Sequence, residues 1–247
     1  SNMDFNRSKA VIDKINGWCA KQTYGLIPQI IDRVTPDMMA CLMNAVYFKG
    51  EWMKPFKESH TQQKTFTNEQ QQQSQVKMMM QEDYFHYAST DNAQWLSLPY
   101  GKGNYVMYVV LPKKGVKISE LIEGLNAQSW RDACMQMRRT KVNVWLPKFE
   151  TKFHIALNEI MQDLGVGRVF SSAADFSKLS KVPFYISTMQ QDAVIKVYET
   201  GAEAAAVTSA IFKATSVPMP SQPVYFHADH SFLYFIVEEQ SGCILFA

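Results

Sequence analysis

Long apolar runs are missing from this 247-residue chain. A helix that crosses a bilayer needs about 18 apolar residues, and the longest candidates, Tyr105 to Leu111 and Phe232 to Val237, have only strand length. No basic segment followed by an apolar core opens the chain, so no signal peptide is visible. Cysteine is scarce. Cys19, Cys41, Cys134 and Cys243 lie far apart, with no CxxC or short-spaced ligand pattern, which points to free thiols in the core and away from a disulfide framework or metal site. An excess of one charge is missing too: Lys and Arg number 25 against 23 Asp and Glu, and the basic residues are scattered. That gives no broad field for capturing nucleic acid.

Enzyme motifs are absent as well. The chain has no GxxxxGK[ST], HExxH, GxSxG or GxGxxG, and the glycine pairs at Gly101 and Gly165 suit turns better than phosphate cradles. The histidines occur singly except for His227 and His230, where Asp229 and His230, being adjacent, are expected to point to opposite faces and form no relay. A triad built from distant segments stays open, because triads are geometric and not sequential. The carboxylate pairs Glu82-Asp83 and Glu238-Glu239 read as solvated loop residues. The expectation is a protein that is not an enzyme and holds no cofactor or metal.

What is present suits a core of ordinary size, since 47% of residues are hydrophobic and 19% charged, enough for one large globular unit or two modest domains. Ser8 sits as an N-cap before a helix whose face carries Val11, Ile15, Trp18 and Cys19, with Gly25 as the stop. Met38 to Trp52 reads as a strand buried on both faces, although its first half also suits a helix. Glu69 to Gln75 reads as an exposed turn. Strands are expected over Val76 to Met80, Gln94 to Leu98, Tyr105 to Leu111, Lys141 to Pro147, Ala193 to Tyr198, Val224 to Phe226, Phe232 to Val237 and Cys243 to Phe246. Helices are expected over Ser119 to Leu125, Ser129 to Met137 and Phe153 to Leu164, the last ending at Gly165. With no regular βαβ rhythm, the fold class is α+β.

One stretch stands apart: YETGAEAAAVTSAIFKATSVPMP, from Tyr198 to Pro220. Sorted by parity as a strand, one face carries Ala202, Ala204, Ala206, Thr208 and Ala210 without a charge, and the other carries Glu203, Ala205, Val207, Ser209 and Ile211. A sheet interior accepts such a row of small residues without overpacking or burying an ion. Alanine also favours a helix, a reading that Val207, Thr208, Ile211 and Thr215 weaken. Gly201 suits a hinge, while Pro218, Pro220 and Pro223 break any strand or helix there.

YETGAEAAAVTSA resembles the hinge of the reactive-centre loop of inhibitory serpins. FHADHSFLYFI, from Phe226, is similar to the signature that follows that loop. NAVYFKGEW, from Asn44, resembles the motif on strand three of the family's main sheet, INGWCAKQTYGLI, from Ile15, the helix lying across it, and LPKFE, from Leu146, also fits. The resemblance implies the serpin fold, a large mixed sheet A with smaller sheets B and C surrounded by helices. On that basis residues 1–247 form the C-terminal majority of one domain, with the family's N-terminal helices absent, and 198–223 form the reactive-centre loop. A longer natural protein, or a second fragment of it, is expected to complete the fold as a monomer.

The resemblance also implies a suicide substrate of a serine protease. Cleavage near Thr215-Ser216 would free residues 202–214 to insert into the main sheet, and Gly201 to Thr215 would extend roughly 46 Å at about 3.3 Å per residue. Thr215 in the primary pocket suits an elastase-like protease. A slipped register or another bond would bring in Phe212, Lys213 or Ala214, of which Phe212 suits a chymotrypsin-like and Lys213 a trypsin-like enzyme. The hinge by this resemblance is Glu199, Gly201, Ala202, Glu203, Ala204, Ala205 and Ala206. The sheet-opening region is Asn44, Trp52, Lys148 and Gln191, with Lys148 pairing Glu199 beside Trp52, Asn44 as a buried polar residue, and Gln191 where the family often places a histidine. An ordinary surface Lys and Glu, and a merely structural Asn44, stay open as alternatives. A non-inhibitory serpin acting as carrier, chaperone or scaffold, or an inhibitor of papain-like cysteine proteases, is the competing reading. Departures are Ala202, where Thr is commoner, and the absent N-terminal part. The resemblance also implies an extracellular setting, and the scattered charge implies no nucleic-acid partner.

Overall fold

The computed structural model describes residues 8–35, 38–202 and 222–247. The expectations for 203–221, which include Glu203, Ala204, Ala205, Ala206, Phe212, Lys213, Ala214, Thr215 and Ser216, lie outside the described residues. In chain order the elements are α1 (Ser8–Gln22), β1 (Cys41–Tyr47), β2 (Gly50–Glu51), β3 (Gln62–Thr67), β4 (Gln73–Ser89), β5 (Ala93–Tyr100), β6 (Tyr105–Pro112), α2 (Ile118–Gly124), α3 (Ala127–Gln136), β7 (Arg138–Pro147), β8 (Phe149–Ala156), α4 (Asn158–Met161), β9 (Thr188–Tyr198), β10 (Gly201–Ala202), β11 (Val224–His227), β12 (Leu233–Glu238) and β13 (Cys243–Phe246). Parallel and antiparallel pairings occur together, so the fold is α+β with mixed sheets. Among the described residues no helix is long and apolar enough to cross a membrane.

The chain folds into two units, and the first comprises Ser1–Phe48 and Glu150–Ile195. In it, Val11 and Cys19 of α1 are buried, Cys19 in a cluster with Ile27, Ile30 and Val194 against which Ile15, Met43 and Ala45 lie. The Asn16 side chain fixes the loop that follows the helix: its Oδ1 accepts from the Ile30 amide at 2.9 Å and its Nδ2 donates to the Ile31 carbonyl at 2.8 Å. β1 pairs β9 in parallel from Cys41↔Thr188 to Tyr47↔Val194.

Several expectations are corrected here. Trp18 is 58% exposed, one position past the buried stripe of α1. β1 is not buried on both faces: Met43 and Ala45 lie under α1, while Leu42 and Asn44, of opposite parity, are exposed. The first part of the helix expected over Phe153 to Leu164 is instead the end of β8; helix begins at α4 and runs on through a π-helical turn, Gln162–Val166, that is broken at Gly165 as expected. The aromatic and β-branched residues of FETKFHIA favour a pleated strand, and β9 offers the pairing edge. Gly165 does reverse the chain, at φ +85°.

The second unit comprises Lys49–Phe149 and Lys196–Ala247. Its eight-stranded sheet runs β11-β7-β4-β5-β6-β12-β13, with β3 also pairing β4. Under α2 and α3 lies a core of Trp95, Val106, Tyr108, Val110, Leu121, Ala133 and Phe235. Trp130 of α3 meets the rings of Trp95, Tyr108 and Phe235 edge-on at 5.5, 5.3 and 5.1 Å. α3 starts at a capping box, Asn126 accepting from the Ser129 amide while Ser129 Oγ accepts from the Asn126 amide.

The Glu82-Asp83 pair is not in a solvated loop, whereas Glu239 does lie exposed in a turn. Glu82 and Asp83 sit inside the 17-residue β4, on opposite faces, and pair with Lys141 at 2.7 Å and Lys54 at 2.8 Å. Glu238 accepts the amides of Gln240 and Ser241 in the last hairpin, and Glu239 accepts from the Tyr108 hydroxyl at 2.6 Å. Asp229 and His230 do join, Oδ1 to Nδ1 at 2.8 Å, because the chain bends there, the Asp229 amide donating to the His227 carbonyl, and the extended alternation is lost. All four cysteines are free, yet only Cys19 is fully buried and Cys243 is exposed, so a common core location is corrected.

Candidate functional site

In the second unit the chain leaves β9 at Tyr198, turns over Glu199 and Thr200, and returns as β10, so that Gly201 faces Tyr198 and Ala202 faces Val197. The other edge of β10 pairs antiparallel with β2, Gly201 with Glu51 and Ala202 with Gly50. Two residues of the expected hinge are thus already strand, bonded on both edges, and the Ala202 side chain is fully buried. Gly201 is obligatory. Its φ is +140°, and a Cβ built there would stand 2.1 Å from the Gly50 carbonyl oxygen, 2.7 Å from Glu51 Cα and 2.8 Å from the Trp52 nitrogen.

The turn is held from all sides. The Trp52 amide donates to the Thr200 carbonyl and the Phe56 amide to the Glu199 carbonyl, both at 2.8 Å. The Trp52 indole Nε1 donates to the Tyr198 carbonyl at 2.9 Å, while its ring stacks on Tyr100 at 4.2 Å. The Glu199 side chain is only 5% exposed; Lys148 Nζ meets its Oε2 at 2.7 Å and the Thr61 hydroxyl donates to its Oε1 at 2.7 Å. Lys148 also stands 5.2 Å over the Tyr198 ring. Lys148 and Glu199 therefore form a specific partly buried pair and not an incidental surface one.

Burial alone would raise the Glu199 carboxyl, but the hydrogen bonds from Lys148 and Thr61 outweigh it and hold the group below its ordinary value. A carboxylate depressed in the folded state contributes stability above its unfolded value, about pH 4.3, and that contribution is lost as the pH falls through the lower folded value. Lys148→Ala leaves a buried carboxylate with only neutral donors, the Thr61 hydroxyl and a backbone amide, a loss of about 3 kcal/mol at neutral pH. In urea unfolding from pH 7 downward, the gap between wild type and Lys148→Ala is expected to shrink as Glu199 protonates. A gap independent of pH would show that the pair does not stabilise the turn.

In the first unit, Asn44 and Gln191 face each other across β1 and β9, Asn44 Nδ2 donating to Gln191 Oε1 at 3.3 Å. The expected pairing is present, but Asn44 is exposed, not buried, because it lies on the face of β1 opposite α1. Beside them Asp192 Oδ1 meets His154 Nδ1 at 3.0 Å. Sequence reasoning brought Glu199, Gly201, Ala202, Trp52 and Lys148 to one place in the second unit and missed Thr61, Phe56 and Tyr100. No local signal marks Thr61, which lies 138 residues before its partner. Among the described residues no group of His, Cys, Asp and Glu could hold a metal ion.

Comparison with known proteins bears on this arrangement. A family described as "Serpin (serine protease inhibitor)" matches residues 1–247. The chain is 32% identical over 241 residues to Iripin-2 of Ixodes ricinus, covering 96% of this chain and 60% of that protein. It is 34% identical over 242 residues to human Serpin B9, covering 94% and 63%. Human thyroxine-binding globulin complexed with thyroxine superposes with a TM-score of 0.86 at 26% identity, over 99% of this chain and 64% of that one. The chain spans about three fifths of the length of the relatives it matches.

Proposed function

The chain belongs to the serpin family, and from that premise we propose that it acts as a suicide inhibitor of a serine protease, as bait and not as an enzyme. A protease serine would attack the Thr215 carbonyl. The Thr215–Ser216 bond would break, the Ser216 nitrogen taking a proton and leaving as a new amino terminus while Thr215 stays esterified to the protease. Insertion of the freed segment before water cleaves that ester would trap the protease.

One observation carries this reading, the register. β10 places residue 201 between Glu51 and Tyr198, and 202 between Gly50 and Val197. Continued without slip, Ala205 would fall between Tyr47 and Val194, Ala206 between Val46 and Ala193, and Thr208 between Asn44 and Gln191. Those are pairs that β1 and β9 already make with each other. A loop extended from β10 would therefore enter between β1 and β9 with both partners in step, trading one strand-to-strand ladder for two. Backbone hydrogen bonds are the gain, and each contributes about 1 kcal/mol net. Ala204, Ala206 and Thr208 share the parity of Ala202, whose side chain is buried.

The likeness to thyroxine-binding globulin keeps a carrier role as the second reading. The uncharged run from Ala204 to Ala206, small enough to enter a sheet, favours inhibition. An extracellular setting is part of the same proposal, within a family whose members also include an intracellular coagulation inhibitor. The test is incubation with an elastase-like serine protease. An SDS-resistant complex is expected, together with a released peptide that begins at Ser216 by mass spectrometry. Loop cleavage without a complex, across elastase-, trypsin- and chymotrypsin-like enzymes, would sink inhibition, and a complex with a papain-like protease alone would move the target class.

A further inference from the structure

The second unit carries a polar sheet face that the trapping cycle leaves unused. By register, Tyr225 and His227 of β11 lie beside Asn143 and Trp145 of β7, which lie beside Glu82 and Met80 of β4. Lys141 and Arg139 share that parity on β7, beside Tyr84 and His86. The opposite face, with Val142, Val144, Leu146 and Phe226, is buried in the core.

The open face is built as rings capped by cations. His227 stacks on Trp145 with ring centres 3.8 Å apart and planes 10° from parallel, and Tyr225 meets His227 edge-on at 5.4 Å. Lys64 of β3 stands 4.9 Å over the Trp145 ring, and the Arg139 guanidinium lies 4.3 Å over Tyr84. Tyr225 is 61% exposed. The carboxylates nearby are already engaged: Glu82 by Lys141 at 2.7 Å and Asp229 by His230 at 2.8 Å. Lys64 and Arg139 have aromatic neighbours but no carboxylate among the described residues, so the face presents uncompensated positive charge on a rigid aromatic floor. Aromatic and Arg residues held rigid in this way are what anchor protein interfaces.

Its position selects the partner. The eight residues from Ser216 to Pro223 span at most about 27 Å fully extended before β11 begins, less than the roughly 40 Å width of an ordinary protease domain. Resting on the reading of this chain as a protease inhibitor, we infer that the face formed by Lys64, Arg139, Trp145, Tyr225 and His227 docks an acidic surface patch of the protease that takes the loop, and so selects among proteases with the same primary pocket. Charge complementarity of this kind acts chiefly on encounter and is weakened by salt.

The experiment uses the full chain and two elastase-like proteases, one acidic and one basic, each inactivated by replacing its catalytic serine with alanine, so that binding is read without cleavage. At low salt the acidic protease is expected to bind about tenfold tighter than the basic one, and high salt should erase the difference. Lys64→Glu with Arg139→Glu is expected to abolish the preference, and Lys64→Gln with Arg139→Gln to reduce it should the reversal disturb folding. Lys114→Glu with Arg131→Glu, equal in charge change at exposed sites elsewhere in the unit, should leave it intact. Equal binding of both proteases, or a preference that survives the first substitution or disappears in the last, overturns the inference. With active proteases the two readings separate. Cleavage without trapping, combined with a charge preference, keeps the docking face and removes inhibition; trapping without preference does the reverse.

Discussion

Gly201→Ala is expected to drive β10 out of its place between β2 and the end of β9, at a cost of about 3 kcal/mol or more. The methyl carbon would stand 2.1 Å from the Gly50 carbonyl oxygen, with Glu51 Cα and the Trp52 nitrogen within 2.8 Å. All three are backbone atoms of a segment fixed by the Trp52 indole and the Phe56 amide, so none can swing aside as a side-chain tip would. The backbone at φ +140° adds about 1–3 kcal/mol for any residue but glycine. Amide hydrogen exchange is the measurement. Protection at Trp52, whose amide donates to the Thr200 carbonyl, and at Ala202 should fall by about a hundredfold, since each 1.4 kcal/mol is a factor of ten, while the amides of β5 and β6 keep theirs. Retained protection at Ala202 would mean that the close approach is relieved by a backbone shift and that the glycine is not required. In the trapping assay the same variant should be cleaved at the normal rate and trapped less often, because the first two residues of the inserting strand no longer wait in register.

Ala206→Pro is expected to have the largest effect on function, turning a trap into a substrate. If the loop enters in the register set by β10, residue 206 would lie between Val46 and Ala193. A proline in a central strand removes one ladder donor and clashes with its neighbour, a cost of about 3 kcal/mol. Insertion competes with hydrolysis of the acyl ester, so a barrier raised by that amount slows trapping by about a hundredfold. Cleaved loop should then accumulate with little covalent complex. Ser221→Pro, beyond the expected scissile bond, should leave the yield of complex unchanged. Undiminished trapping by Ala206→Pro would show that residue 206 does not become a central strand, and with it the register reading would fall.

Much of the fold was legible because it rests on local pattern. The periodicity of Val11, Ile15 and Cys19 marked α1, and the apolar run from Tyr105 to Leu111 marked β6, since both periods follow from backbone geometry alone. The first residues of the helix expected over Phe153 to Leu164 failed for a related reason. Phe149 and Phe153, four apart, are spaced as either element allows, and the edge offered by β9, a partner distant in sequence, decided for strand. Glu82 and Asp83 looked solvated because polarity in sequence does not reveal a lysine across a ladder, and Lys141 and Lys54 lie 59 and 29 residues away in the chain.

By itself, the sequence determined that Gly201 has the backbone freedom a hinge needs, that the residues after it are small and uncharged on one parity, and which family the chain resembles; each of these is written in adjacent letters. Only the tertiary structure decided that Gly201 and Ala202 are already paired on both edges, that Thr61 shares the Glu199 carboxylate with Lys148, and that the ladders on the two sides of β10 run in step with the existing match of β1 to β9. The physical reason is separation along the chain. A residue carries its own conformational preference with it, but the registers of β2 with β10 and of β1 with β9, and the close approach at Gly201, are relations between segments more than a hundred residues apart, and the sequence holds no local mark of how far one strand has slid along another.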